Sequence, residues 1–159
     1  MTELRLYFPY EPKPVQSSTF STKNGVIRNY QPSKVTSYKG VISYSFLQQV
    51  GAGFMPTDKP IFITRLWFVF PTNKGITKRD MAIVEAWEKM EGEAGFMYDA
   101  PTPLYKPTRP DLMDNIQKGF WDALSGLLFK DDAQIVSANN ILKCYGLRPR
   151  IELWVEYDR

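Results

Sequence analysis

Residues 109–134 read R-P-D-L-M-D-N-I-Q-K-G-F-W-D-A-L-S-G-L-L-F-K-D-D-A-Q. Ile116, Phe120, Ala123, Leu124 and Leu127 recur at the spacing of one helix face, and Asp114 is a good N-cap. A helix from Asn115 to about Leu128 is therefore expected. Asp111 and Asp114 stand at its mouth, Lys118 lies one turn in, and Asp131-Asp132 follow its far end. Elements on either side of this helix decide the fold class.

Before it, Pro60 to Phe70 (P-I-F-I-T-R-L-W-F-V-F) is an almost unbroken apolar, β-branched and aromatic run, the pattern of a central strand buried on both faces. After it, Gln134 to Leu142 reads as a strand and Gly146-Leu147-Arg148-Pro149 as a turn. In the final strand, Arg150 to Tyr157, Ile151, Leu153, Val155 and Tyr157 alternate with Glu152, Trp154 and Glu156. Leu4 to Phe8 alternates as a first strand, and Pro9, Pro12 and Pro14 then break regular structure. Phe20 to Tyr30 reads as a hairpin around Asn24-Gly25, since both turn positions need positive φ. Val35, Tyr38, Val41, Ile42 and Phe46 predict a helix that Gly51 can end, with Ser33 or Thr36 as its cap. Thr77-Lys78-Arg79-Asp80 resembles a capping box opening a further helix. Ile83, Val84, Trp87 and Met90 form that helix's apolar side, and Glu85, Glu88 and Glu91 an acidic face turned away from any polyanion. Pro101, Pro103, Pro107 and Pro110 mark residues 93–110 as an extended connector. The order of elements predicts an α+β (mixed α/β) fold: one domain over residues 1–159, with a small mixed sheet and packed helices.

The chain has 159 residues, 43% of them hydrophobic and 14% aromatic, which argues for a folded core and against disorder. Its one cysteine, Cys144, has no partner for an internal disulfide and fits a reducing cytoplasm. The N-terminus has no apolar signal region, and no apolar run is long enough to span a bilayer. A cytoplasmic protein away from membranes is expected. Net charge is +3, unevenly spread. Arg5, Lys13, Lys23, Arg28, Lys34 and Lys39 face only Glu3 and Glu11 in residues 1–50, a surplus of four. A basic part beside an acidic site suits a polyanionic substrate. Charge alone is equally met by an ordinary mildly basic surface.

No histidine is present, so a metal in this chain would be held by oxygen. Magnesium takes one or two carboxylates plus waters and substrate phosphate, and such ions activate water and steady leaving oxygens in phosphodiester cleavage. Asp111, Asp114 and Asp132 are the candidate ligands. Each also has a plainer reading. Asp114 caps a helix, Asp131-Asp132 make a turn, and Lys118 pairs with Asp114 or Asp122.

These residues resemble the RusA family of crossover-junction endodeoxyribonucleases. The family's pattern is P-D-x-D-N-x-x-K, then D-A-L, then D-D-x-Q-V. Here the corresponding runs are P-D-L-M-D-N-I-Q-K from Pro110, D-A-L from Asp122 and D-D-A-Q-I from Asp131. The close likeness covers about residues 109–136, and residues 71–108 form a longer connector than the family's. The resemblance implies a homodimer, dependent on Mg2+ with Mn2+ able to replace it, that resolves Holliday junctions by paired symmetric nicks in DNA recombination and repair. Such enzymes occur in bacteria and are often carried by phages or prophages. Carried over by position, Asp111, Asp114 and Asp132 are the catalytic, metal-binding carboxylates and Lys118 the catalytic cation. Asn115 and Asp131 support the site, and Lys13, Lys23, Arg28, Lys34 and Arg109 are candidate DNA contacts. One departure bears on this. The family has one residue between its first two aspartates, and here Leu112 and Met113 both intervene. On a plain strand Asp111 and Asp114 would then face opposite ways; a bulge or an early helical turn at Met113 would restore convergence, and without either, one carboxylate is lost to the site. Two alternatives follow from the same residues: a protein that binds branched DNA without cutting, and a nuclease for other branched DNA such as flaps.

Overall fold

The computed structural model describes residues 1–15, 19–23, 26–30, 33–91 and 101–158. Its centre is the apolar run foreseen above, β4 (Ile61–Pro71). Leu66, Phe68 and Phe70 point into the main core, and Trp67 and Val69 into a smaller one on the opposite face. That two-sided burial is why the run does not alternate with polar residues. β7 (Arg150–Tyr157) pairs with β4 antiparallel, and β1 (Thr2–Phe8) pairs with β7, giving the order β1-β7-β4-β5. β5 (Ile135–Ala138) and β6 (Ile141–Gly146) both run parallel to β4, β5 against its start and β6 against its end.

α1 (Ser33–Val50) and α3 (Gln117–Leu124) cover the main core. Tyr38, Ile42 and Phe46 of α1 are buried as expected, and Gly51 at φ 85 stops the helix. Val41 is 37% exposed and is not a core residue, because it lies about 100° around the helix from Ile42. The helix begins at Ser33 itself. Phe120 of α3 sits edge-on to Phe8 and Phe68, with ring centroids 5.3 and 5.9 Å away. α2 (Lys78–Glu91) covers the other face through Trp87, which stands 5.7 Å from Trp67. Thr77 Oγ1 accepts from the Asp80 amide at 3.1 Å and caps α2 as foreseen.

Four expectations need correction. The helix after Asp111 is not a single element from Asn115 to Leu128. A π-helical turn spans Leu112–Ile116, α3 follows as far as Leu124, and Gly126 at φ 78 turns the chain. Asp114 lies inside the π turn, and Asp111 occupies the cap position without a side-chain bond. Second, Gln134 to Leu142 is not one strand. Asn140, at φ 52, accepts from the Trp67 indole at 3.0 Å and breaks the run into β5 and β6. Third, Val41 is turned outward, as above. Fourth, Glu88 does not belong to a solvated acidic face. It is 7% exposed and takes a 2.7 Å bond from Arg150, itself 2% exposed. Burial works against the guanidinium's charge, but its bonds to Glu88 and Glu152 outweigh that and hold its pKa above the usual value. Removing one partner of such a pair costs ~3–5 kcal/mol, so it fastens α2 to the start of β7.

β2 (Thr19–Lys23) and β3 (Val26–Tyr30) pair as a separate antiparallel hairpin, Lys23 opposite Val26. The Asn24-Gly25 turn and the side chains of Lys23 and Arg28 lie outside the described residues, as do residues 92–100 of the connector. Among the described residues, no helix is long and apolar enough to cross a membrane.

Candidate active site

Three tethers place the Asp111 segment. Leu104 to Lys106 runs beside β6, with the Lys106 amide donating to Lys143 O at 3.1 Å and the Tyr145 amide to Leu104 O at 2.9 Å. Lys143 Nζ then donates to both Thr108 O and Pro110 O at 2.6 Å. From the other side, the Val15 amide donates to Asn115 O at 3.0 Å. A Cβ on Gly119 would run into the Val15 side chain, so glycine permits this crossing. Nothing in the sequence pattern singled out Lys143, Val15 or Gly119, because each acts through a segment distant along the chain.

The π turn absorbs the extra residue. The Ile116 amide reaches Asp111 O at 3.3 Å, and Gln117 Nε2 donates to Leu112 O at 3.0 Å. Of the two arrangements considered around Met113, an early helical turn is present, in its wider π form. It leaves Ile116 and Phe120 buried in register for the core. Asp111, Asp114 and Lys118 are exposed, Asn115 is half-buried, and Met113 is 78% exposed. Arg109, Asp111 and Asn115 line one surface cavity of about 440 Å³ with Pro14 and Pro110. A cation, a carboxylate and an amide on one concave surface can hold a phosphate and a hard metal ion side by side.

The second acidic group is built differently. Asp131 accepts from the Ala133 amide at 2.8 Å, and Gln134 Oε1 accepts from the Lys130 and Asp131 amides at 2.9 Å each, a reciprocal capping box. Gln134 Nε2 donates to Thr57 O and Lys59 O at 3.0 Å each, tying this turn to the segment leading into β4. The D-x-x-Q spacing was the signal for Gln134's role. Asp131 thus holds the turn, and Asp132 projects from it, exposed. Lys118 has no carboxylate partner among the described residues. Asp122 pairs instead with Lys39 at 2.8 Å, which engages that cation within the fold.

Asp111–Asp114 and Asp132 are anchored to different parts of the sheet, the first pair beside β6 and the second ahead of β5. Among the described residues, no three of the carboxylates and the cysteine form a group that could hold a metal ion. A ready-made three-carboxylate cage is therefore not present among the described residues. The donor chemistry still suits magnesium, which needs only one or two carboxylates when waters and substrate oxygens complete its shell. Of the candidate DNA contacts, Arg109 is in the cavity with Asp111. Lys13 and Lys34 meet in a separate cleft.

Over 52 residues the chain is 40% identical to the uncharacterized protein YqaN of Bacillus subtilis (strain 168). The matched segment is 33% of this chain and 36% of that protein, so the likeness spans about a third of the relative's length. The sequence profile of the family described as endodeoxyribonuclease RusA matches residues 9–156, nearly the whole chain. With that extent of match, the chain belongs to the RusA endodeoxyribonuclease family.

Proposed function

We propose that this protein is a metal-dependent endodeoxyribonuclease that resolves Holliday junctions by paired symmetric nicks, as a homodimer, in DNA recombination and repair. The observation that carries the reading is the family match over residues 9–156, joined to the cavity that gathers Arg109, Asp111 and Asn115. In this reading Asp111, Asp114 and Asp132 supply the oxygen ligands for Mg2+, with Mn2+ able to replace it. Bound there, the ion supplies a water acidic enough to attack a phosphodiester. Arg109 holds the substrate's phosphate in the cavity. Lys118, exposed one turn beyond Asp114, offsets charge that builds on the scissile phosphate. Asn115 positions the turn through its carbonyl, and Asp131 through its cap to Ala133. A four-way junction has near two-fold symmetry, so an isologous pair of chains would present two sites to two opposed strands. The setting is the cytoplasm of a bacterial or phage-infected cell.

Asp132→Asn keeps the side chain's size and removes its charge. Cleavage of a synthetic junction should fall by at least 100-fold, while junction binding in chelator stays near the parent value. Unchanged cleavage by this variant would remove Asp132 from the assignment. A second reading, recognition of branched DNA without cutting, is favoured by the absence of a preassembled three-carboxylate group among the described residues. A third, cutting of flaps, keeps the chemistry and is selected if flaps are cut far faster than junctions.

A further inference from the structure

A second concave surface lies one residue along the chain from the candidate active site. Pro14 lines the cavity of Arg109 and Asp111, and Lys13 lines a cleft of about 530 Å³ with Tyr10, Glu11, Lys34 and Tyr38. The extended strap of residues 10–15 therefore divides the two. Lys13 and Lys34, 21 positions apart in sequence, are both exposed at this cleft and outnumber its single carboxylate, Glu11. Tyr10 is 36% exposed there and offers part of a ring face.

Tyr38 closes the inner side of the cleft. It is 5% exposed, and its hydroxyl has no hydrogen-bond partner among the described residues. Burial pushes its pKa up to about 12, opposed in smaller part by the Lys13 backbone, which lies near the hydroxyl without reaching full hydrogen-bond geometry. A buried hydroxyl without a partner costs about 1–3 kcal/mol, so a fold that keeps one gains nothing from it in isolation. A phenylalanine would fill the same space without that cost.

We propose that this cleft holds one nucleotide of the DNA strand that passes the candidate active site, with its phosphate between Lys13 and Lys34 and its base on Tyr10. Phosphate favours the paired ammonium groups, and any base can stack on a tyrosine, so the subsite grips DNA without reading sequence. It rests on the nuclease reading for its substrate class but makes a separate claim about where the strand is held.

The test is binding of a synthetic four-way DNA junction, in chelator, over a salt series. Lys13→Ala/Lys34→Ala should weaken binding about tenfold and lower the slope of log affinity against log salt by about 1. A control pair on another face, Lys74→Ala/Lys78→Ala, should change both far less. Tyr10→Ala should weaken binding roughly tenfold, as loss of one stacked base does. If the cleft variants bind like the parent, or the control pair matches the Lys13/Lys34 pair, the subsite is overturned and the nuclease reading stands. If the parent binds no junction at all, both fall together.

Discussion

Tyr38 shows how one side chain separates what the sequence says from what the fold does with it. Its place on the buried face of α1 was legible from helical spacing. Its unpartnered hydroxyl was not, because that depends on a strap 25 positions earlier in the chain. The environment has a measurable pH consequence. Tyr38 titrates at about 12 in the folded protein, against 10.0 for a free tyrosine. Below pH 10 both states keep the proton and stability is unaffected. Between pH 10 and 12 the unfolded chain loses a proton that the folded chain retains, so stability falls as pH rises, by about 2–3 kcal/mol in all. Denaturant unfolding across this range should show that loss in the parent and not in Tyr38→Phe. Equal losses in the two proteins would contradict the account. Glu88 teaches the same lesson from the opposite side. Helical spacing placed it with Glu85 among solvated acids, yet Arg150, 62 positions away, draws it inside.

At the scale of elements, β4 was readable because burial on both faces leaves a continuous apolar run, and β7 because burial on one face leaves an alternation. The boundary between β5 and β6 was not readable. Ile135 to Leu142 carries no proline or glycine, and the break comes from Asn140 in a left-handed conformation, held by Trp67. Asn140→Ala removes the indole's acceptor and keeps a strained backbone, and should cost ~1–3 kcal/mol in unfolding free energy. A change below about 0.5 kcal/mol would mean that the break is set elsewhere. The π turn at Leu112–Ile116 was half legible. The spacing of Asp111 and Asp114 demanded some local expansion before α3. Which form it took depended on keeping Ile116 and Phe120 turned toward Phe8 and Phe68.

At the scale of the whole molecule, the mixed sheet and the three α-helices among the described residues agree with the order of elements, and the family membership with the three-part motif. The arrangement of the site was less visible. The motif runs through one helix and its two flanks, which suggested convergence of Asp111, Asp114 and Asp132. The tethers that place them are long-range: Lys143 docks the first two beside β6, and Gln134 docks the third near the start of β4. In the proposed reading, these acids are parts of a site that metal and DNA phosphate would complete. The proposed dimer and DNA path would be properties of an assembled complex and leave little trace in one sequence.

The most direct test incubates the purified protein with a synthetic four-way junction in Mg2+ or Mn2+, and in parallel with chelator. The account predicts paired nicks, symmetric about the crossover, that appear with either metal and vanish with chelator. Tight junction binding without nicks in any divalent metal would contradict it and leave a protein that recognises branched DNA but does not cut it.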